Sequence, residues 1–130
     1  EWEKAARGTE GNLFPWGSKA PNADIAVSGL YHVHQIPLVA AVDSFEEGRS
    51  PYGLSHMAGN VREWVNDWLG LDYYPLMPER NPRGPEVGRY KSVRGGSWRS
   101  RPQLLRTATR NGANPSTRSP NVGFRCAKSR

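Results

Sequence analysis

Glycine and proline interrupt this chain from end to end: 14 Gly and 11 Pro stand among its 130 residues. Glycine weakens the interior of helices and strands, and proline removes a backbone donor, so long uninterrupted elements are unfavourable here. With 36% hydrophobic residues and a mean hydropathy of −0.73, the chain also has fewer aliphatic side chains than a helical bundle of this size would bury. The expected product is a loop-rich α+β domain of short elements. Its length suits one domain spanning 1–130 and leaves little room for two. No run approaches the ~18 apolar residues of a membrane helix, so no membrane span is expected. Residues 1–15 lack the charged and apolar regions of a signal peptide, which leaves cytoplasm and cell surface both open. The single cysteine, Cys126, cannot close an internal disulfide, and the fold must rest on packing. As a free cysteine, Cys126 is expected to be a small core residue.

Charge is distributed unevenly. Residues 1–86 hold all 12 acidic residues and seven of the 18 lysines and arginines, whereas residues 87–130 hold the other 11 and no acid. Nucleic-acid binding is disfavoured, because these arginines are dispersed among Ser, Asn, Thr and Pro without interleaved stacking aromatics. An intramolecular reading is preferred, in which C-terminal arginines form forked bonds to carboxylates and carbonyls of the first half.

Along the chain, Glu1–Gly8 reads as a helical segment ended by glycine in the left-handed position. Leu13–Gly17 reads as a buried aromatic turn and 21–29 as loop. Leu38–Val42 reads as a short strand. Val61–Trp68 fits either a helix, with Trp64 and Trp68 on one face, or a strand, with Trp64 expected in the core. Residues 69–92 are rich in Pro, Gly and Tyr and read as a long ordered connection, its end overlapping Arg89–Arg94, which reads as a strand; 99–121 reads as loop-like and Val122–Ala127 as a closing strand.

The order of certain motifs points to a family. Glu1-Trp2-Glu3-Lys4-Ala5-Ala6-Arg7-Gly8, Phe14-Pro15-Trp16-Gly17, Tyr52-Gly53-Leu54, Met57-Ala58-Gly59-Asn60-Val61, Glu63-Trp64, Asp67-Trp68, Arg94-Gly95-Gly96-Ser97-Trp98 and Gly123-Phe124-Arg125-Cys126-Ala127 follow one another through the chain. In this order they resemble the C-terminal part of a formylglycine-generating-enzyme (sulfatase-modifying factor) domain. The resemblance implies a C-type-lectin-like fold with short antiparallel strands, lacking the family's usual N-terminal portion. The scaffold hosts oxidases, sulfoxide synthases and binding proteins, so the site residues must decide function.

In the oxidase members, the resemblance implies two cysteines shortly after the Gly-Gly-Ser motif that hold copper(I) as thiolates. Here the stretch reads Ser97-Trp98-Arg99-Ser100-Arg101, with Ser100 near the first cysteine's place and no second cysteine. A hard, unionised hydroxyl does not substitute for a soft thiolate, so no copper is expected. Sulfoxide synthases of the same fold draw histidines from a separate helical domain. His32 and His34 would share a strand face, but no further ligand completes a set with them, and they read as loop histidines. Calcium is the other cofactor the resemblance implies. Gly59, Val61 and Glu63 match one site by backbone carbonyls and a carboxylate, and Asn22, with Ala23 and Asp43, is the candidate for a second. His56 stands where Asp or Asn is usual, so an internal hydrogen bond is the competing reading for the first site. Arg62 replaces the usual tryptophan.

Residues 99–121 contain no Lys, Glu, Met or Trp and lie between two rigid motifs. The arrangement resembles the variable proteins of diversity-generating retroelements, in which asparagine codons of a template are randomised between similar motifs. That resemblance implies an outward-facing recognition surface of Arg99, Ser100, Arg101, Leu104, Thr109, Asn111, Gly112, Ala113, Thr117, Ser119, Pro120 and Asn121. Trp98, Leu105, Arg106, Ala108, Arg110 and Arg118 would then be framework. An ordinary ordered loop that satisfies its own backbone is the alternative. The expected function is a non-catalytic ligand-binding domain for a protein or cell-surface ligand. The runner-up is a metal-dependent oxidoreductase of the same family, of the formylglycine-generating or sulfoxide-synthase type, completed by a missing region.

Overall fold

The computed structural model describes residues 1–29 and 39–128. The expected histidine pair, His32 and His34, and the first residue of the expected strand at 38–42 lie outside the described residues. Trp2–Arg7 forms one short helix, α1, with Glu3 and Arg7 paired at 2.9 Å across one turn. It stops at Gly8, whose φ of 67° is left-handed and costs glycine no Cβ clash.

Strands β1 (Arg62–Trp68), β2 (Lys91–Arg94), β3 (Arg110–Ala113) and β4 (Val122–Gly123) form a sheet in the order β3-β2-β1-β4. β1 pairs antiparallel with β2, and β2 with β3, in register from Lys91 opposite Ala113 to Arg94 opposite Arg110. Strand geometry thus resolves the choice left open for Val61–Trp68. The expectation of antiparallel strands needs one correction, because β4 runs parallel to β1, with Arg62 opposite Val122 and Glu63 opposite Gly123. The closing strand is also shorter than 122–127. The expected strand at Leu38–Val42 is loop over its described part. Val42 is 82% exposed, and Ala40 exchanges its backbone N–H and C=O with the Asn60 side chain at 3.0 and 3.3 Å, which takes the place of a ladder.

The core is small. Phe14, Ala26, Ala58 and Leu105 cluster, with half-buried Trp16 packed against them and its ring stacked on Phe14 at 5.3 Å. The backbone comes close here: a Cβ on Gly96 would meet Leu105 Cδ2 at 2.7 Å and Leu104 O at 3.0 Å. Beside these apolar residues lie buried polar ones, Ser28, Ser50, Glu63, Ser92, Arg94, Ser97, Ser100 and Thr107. Two expectations about the interior fail. Trp64 is only half-buried, because β1 turns Glu63 inward instead, and Cys126 is exposed because the chain leaves the sheet after Gly123.

Candidate functional site

Arginines of the basic half hold the framework together, as the charge distribution suggested. Glu63 on β1 accepts hydrogen bonds from Arg125 Nε and Nη2, at 2.7 and 2.5 Å, and from Trp2 Nε1 at 2.7 Å. Arg125 Nη2 also reaches Ser55 O at 3.0 Å. Arg94 on β2, 4% exposed, gives Nη2 to Glu3 and to Thr107 O, lies near Ala108 O through Nη1, and stands over the Trp2 ring at 5.2 Å. Burial pushes the Arg94 guanidinium below its usual pKa, while its hydrogen bond and charge pairing with Glu3 oppose the shift. Helix α1, β1, β2 and the C-terminal segment are thereby cross-linked by charge-assisted bonds.

Above this framework Ser97 acts as a hub. Ser97 N donates to Ser100 Oγ at 2.9 Å, the two hydroxyls lie 3.4 Å apart, and Arg99 N donates to Ser97 Oγ at 3.3 Å. The far end of the loop segment returns to the same point. Asn121 Nδ2 donates to Ser97 Oγ at 3.4 Å, Ser119 Oγ donates to Asn121 Oδ1, and Asn121 O accepts from Arg62 N at 2.9 Å. Trp98 N is held by Asn60 O at 2.8 Å. The Arg99 guanidinium stands 5.2 Å from the Trp98 ring.

The proposed surface residues are therefore divided. Arg99, Arg101, Leu104, Gly112, Thr117 and Pro120 are exposed, and Thr109, Asn111, Ala113, Ser119 and Asn121 are half-buried. Ser100 is corrected: it is 3% exposed and faces the hub, because its hydroxyl satisfies the Ser97 N–H. Among the expected framework residues, Leu105 is fully buried, Trp98 and Arg110 are half-buried, and Arg106, Ala108 and Arg118 are exposed. Arg99, Ser119 and Asn121 gather at Ser97, whereas Asn111, Gly112 and Ala113 lie on β3, the opposite sheet edge from β4. Three strand spacings separate those edges, about 14 Å.

Of the residues matched to calcium, Glu63 and Asn22 have their side chains engaged otherwise. Three N–H donors surround the Glu63 carboxylate, and the guanidinium beside it would repel a cation. His56 Nε2 lies 2.8 Å from Ala41 O, an internal bond of the kind expected where Asp or Asn is missing. Asn22 Oδ1 accepts from Asp24 N and Ile25 N at 3.0 and 3.1 Å, a side-chain turn. As the side chains lie, neither Glu63 nor Asn22 fits a calcium ligand. Among the described residues no three His, Cys, Asp or Glu side chains group as a metal site, and no helix is long and apolar enough to cross a membrane. The pairing of Trp2 and Arg125 with Glu63 gave no sequence signal, since the partners are 61 and 62 positions apart.

Comparison with known proteins agrees with this architecture. The sulfatase-modifying factor enzyme 1-like domain family matches residues 1–130, and the chain belongs to that family. It is 34% identical to a formylglycine-generating enzyme of Streptomyces coelicolor over 146 aligned positions, covering 98% of this chain and 44% of that protein. It is 37% identical to the serine/threonine-protein kinase Pkn1 of Chlamydia trachomatis over 98% of this chain and 20% of that protein. The structure superposes on Treponema denticola variable protein 1 with a TM-score of 0.72 and 26% identity, covering 95% of this chain and 43% of that one. PvdO from Pseudomonas aeruginosa gives 0.76 and 28%, covering 95% and 48%. The fold is thus the loop-rich, C-type-lectin-like one of formylglycine-generating enzymes. The chain spans less than half the length of these relatives.

Proposed function

We propose that this domain is a non-catalytic ligand-recognition module, with the exposed part of 99–121 as its binding surface. The observation that carries the reading is the Ser97–Ser100 hub. At the place where copper-dependent relatives are expected to put a thiolate, this chain has a buried hydroxyl consumed by its own backbone. Around the hub, Arg99 and Arg101 stand exposed on a turn whose backbone is held from below by Ser97, Ser100, Asn60 and Asn121. Such a turn presents side chains that can change without disturbing the core. The likeness to a variable protein of Treponema denticola supports the same role, and so does the match to proteins named protein kinases. In the latter the matched stretch is a fifth or less of the whole, which suits an attached recognition domain.

Arginine-rich, partly aromatic surfaces are effective at protein interfaces, and the ligand class proposed is a protein or a structure displayed on a cell surface. The test is chemical cross-linking of the purified protein to extracts and cell surfaces of its source, quantified against the Arg99→Ala/Arg101→Ala variant. A specific partner should be captured by the parent protein and reduced at least tenfold in the variant. Equal capture by both proteins would remove this surface from consideration.

A further inference from the structure

Between α1 and the residues that follow the Pro102–Leu105 turn lies an open groove of about 380 Å³, lined on one side by Arg7 and Gly11 and on the other by Arg106 and Thr109, with Ser18 also facing it. Both guanidiniums keep unused donors. Arg7 gives Nη1 to Glu3 and Nη2 to Gly11 O, at 2.9 and 3.1 Å, while its Nε is buried without a hydrogen-bond partner. Arg106 donates Nε to Gln103 O at 3.1 Å and leaves its two terminal nitrogens without a protein acceptor among the described residues. Gly11 keeps this side of the groove open, since a Cβ there would stand 3.4 Å from Arg7 Nη2 and 4.0 Å from Nε.

We propose that this groove is a carboxylate-binding site. The ligand's oxygens accept from the terminal nitrogens of Arg106 and from the second N–H of Arg7 Nη2, with the Ser18 hydroxyl as a secondary donor, since the Thr109 hydroxyl already donates to Gln103 O at 3.5 Å. Planar carboxylate is the class that guanidinium forks match, in charge and in spacing. The volume suits a ligand of a few carbons or one acidic side chain of a peptide. The site is separate from recognition by Arg99 and Arg101, and loss of either function leaves the other in place.

Two probes distinguish the sources of the carboxylate: glutarate, and a short peptide blocked at both ends that carries a single glutamate. Each is titrated into the 15N-labelled protein at constant ionic strength. Saturable amide shifts at Gly11, Asn12 and Thr107–Thr109 are expected with at least one probe. Binding of glutarate alone assigns a free acid, and binding of the peptide, with or without glutarate, an acidic side chain. Arg106→Ala should weaken the Kd at least tenfold with an unchanged melting temperature, and Arg106→Lys should restore only part of the affinity. Gly11→Asn, which tolerates the positive φ of 70°, should fill the groove and abolish the shifts. No saturable shift with either probe, or shifts that persist unchanged in Arg106→Ala, would overturn the proposal.

Discussion

Two sets of arginines within the same basic half behave differently. Arg94 and Arg125 are drawn into the framework, Arg125 forked onto Glu63 through Nε and Nη2 and Arg94 joined to Glu3 through Nη2 alone. Arg99, Arg101, Arg106 and Arg118 are exposed, and none of them pairs with a carboxylate among the described residues. Charge alone does not separate the sets; what separates them is whether a strand or helix delivers a carboxylate to the guanidinium. Excess positive charge in 87–130 therefore serves the fold in one place and is available for binding in another.

The largest effect is expected at Glu63. Replacing it with Gln leaves Arg125 half-buried without its counter-charge, at a cost of about 3 to 5 kcal/mol, measurable by urea unfolding. The loss should be equal in calcium and in EDTA, since Arg125 and Trp2 hold the carboxylate; a loss seen only with calcium present would return Glu63 to a metal site. Next comes Leu105→Ala, expected to cost about 2 to 5 kcal/mol because the side chain is fully buried beneath the Gly95–Gly96 turn. Ser100→Ala should cost about 1 to 3 kcal/mol, since the buried Ser97 N–H loses its acceptor. Arg99→Ala with Arg101→Ala forms the opposite pole: stability should change by no more than about 0.5 kcal/mol per substitution, while ligand capture falls. A large fall in melting temperature in that variant would place these arginines in the framework and erase the distinction.

Much of this was legible in the sequence, and the failures have physical causes. Gly8 at the end of a helical run follows from a local pattern, and so does a strand ending at Arg94, although it covers Lys91–Arg94 and not 89–90; Leu105 as framework is implied by the resemblance to variable proteins, and the side chain is fully buried. The opposition of acidic and basic halves foretold ion pairs, although not which residues meet, because Glu3 and Arg94 are 91 positions apart. Periodicity misled at β1. An alternating strand with two tryptophans reads as turning those rings inward, yet the buried position is Glu63, whose desolvation is offset by three donors from distant segments. Free cysteine is usually buried and Cys126 reads as core for that reason alone, yet the chain leaves the sheet after Gly123 and the thiol lies in solvent. Ser100 looked like one more polar residue of a variable loop. Only the folded turn shows its hydroxyl serving the backbone, and that single contact removes it from the surface and ties it to the framework. The Arg7–Arg106 groove joins segments 99 positions apart and has no motif.

As proposed, this domain recognises a ligand and does not oxidise thiols. The decisive measurement is oxygen uptake after copper(I) loading, with a cysteine-containing peptide as the candidate substrate. The rate should be no greater than that of copper buffered in the absence of protein, because Ser100 offers a hydroxyl where a thiolate is needed. Protein-dependent oxygen consumption coupled to conversion of the peptide cysteine would contradict it.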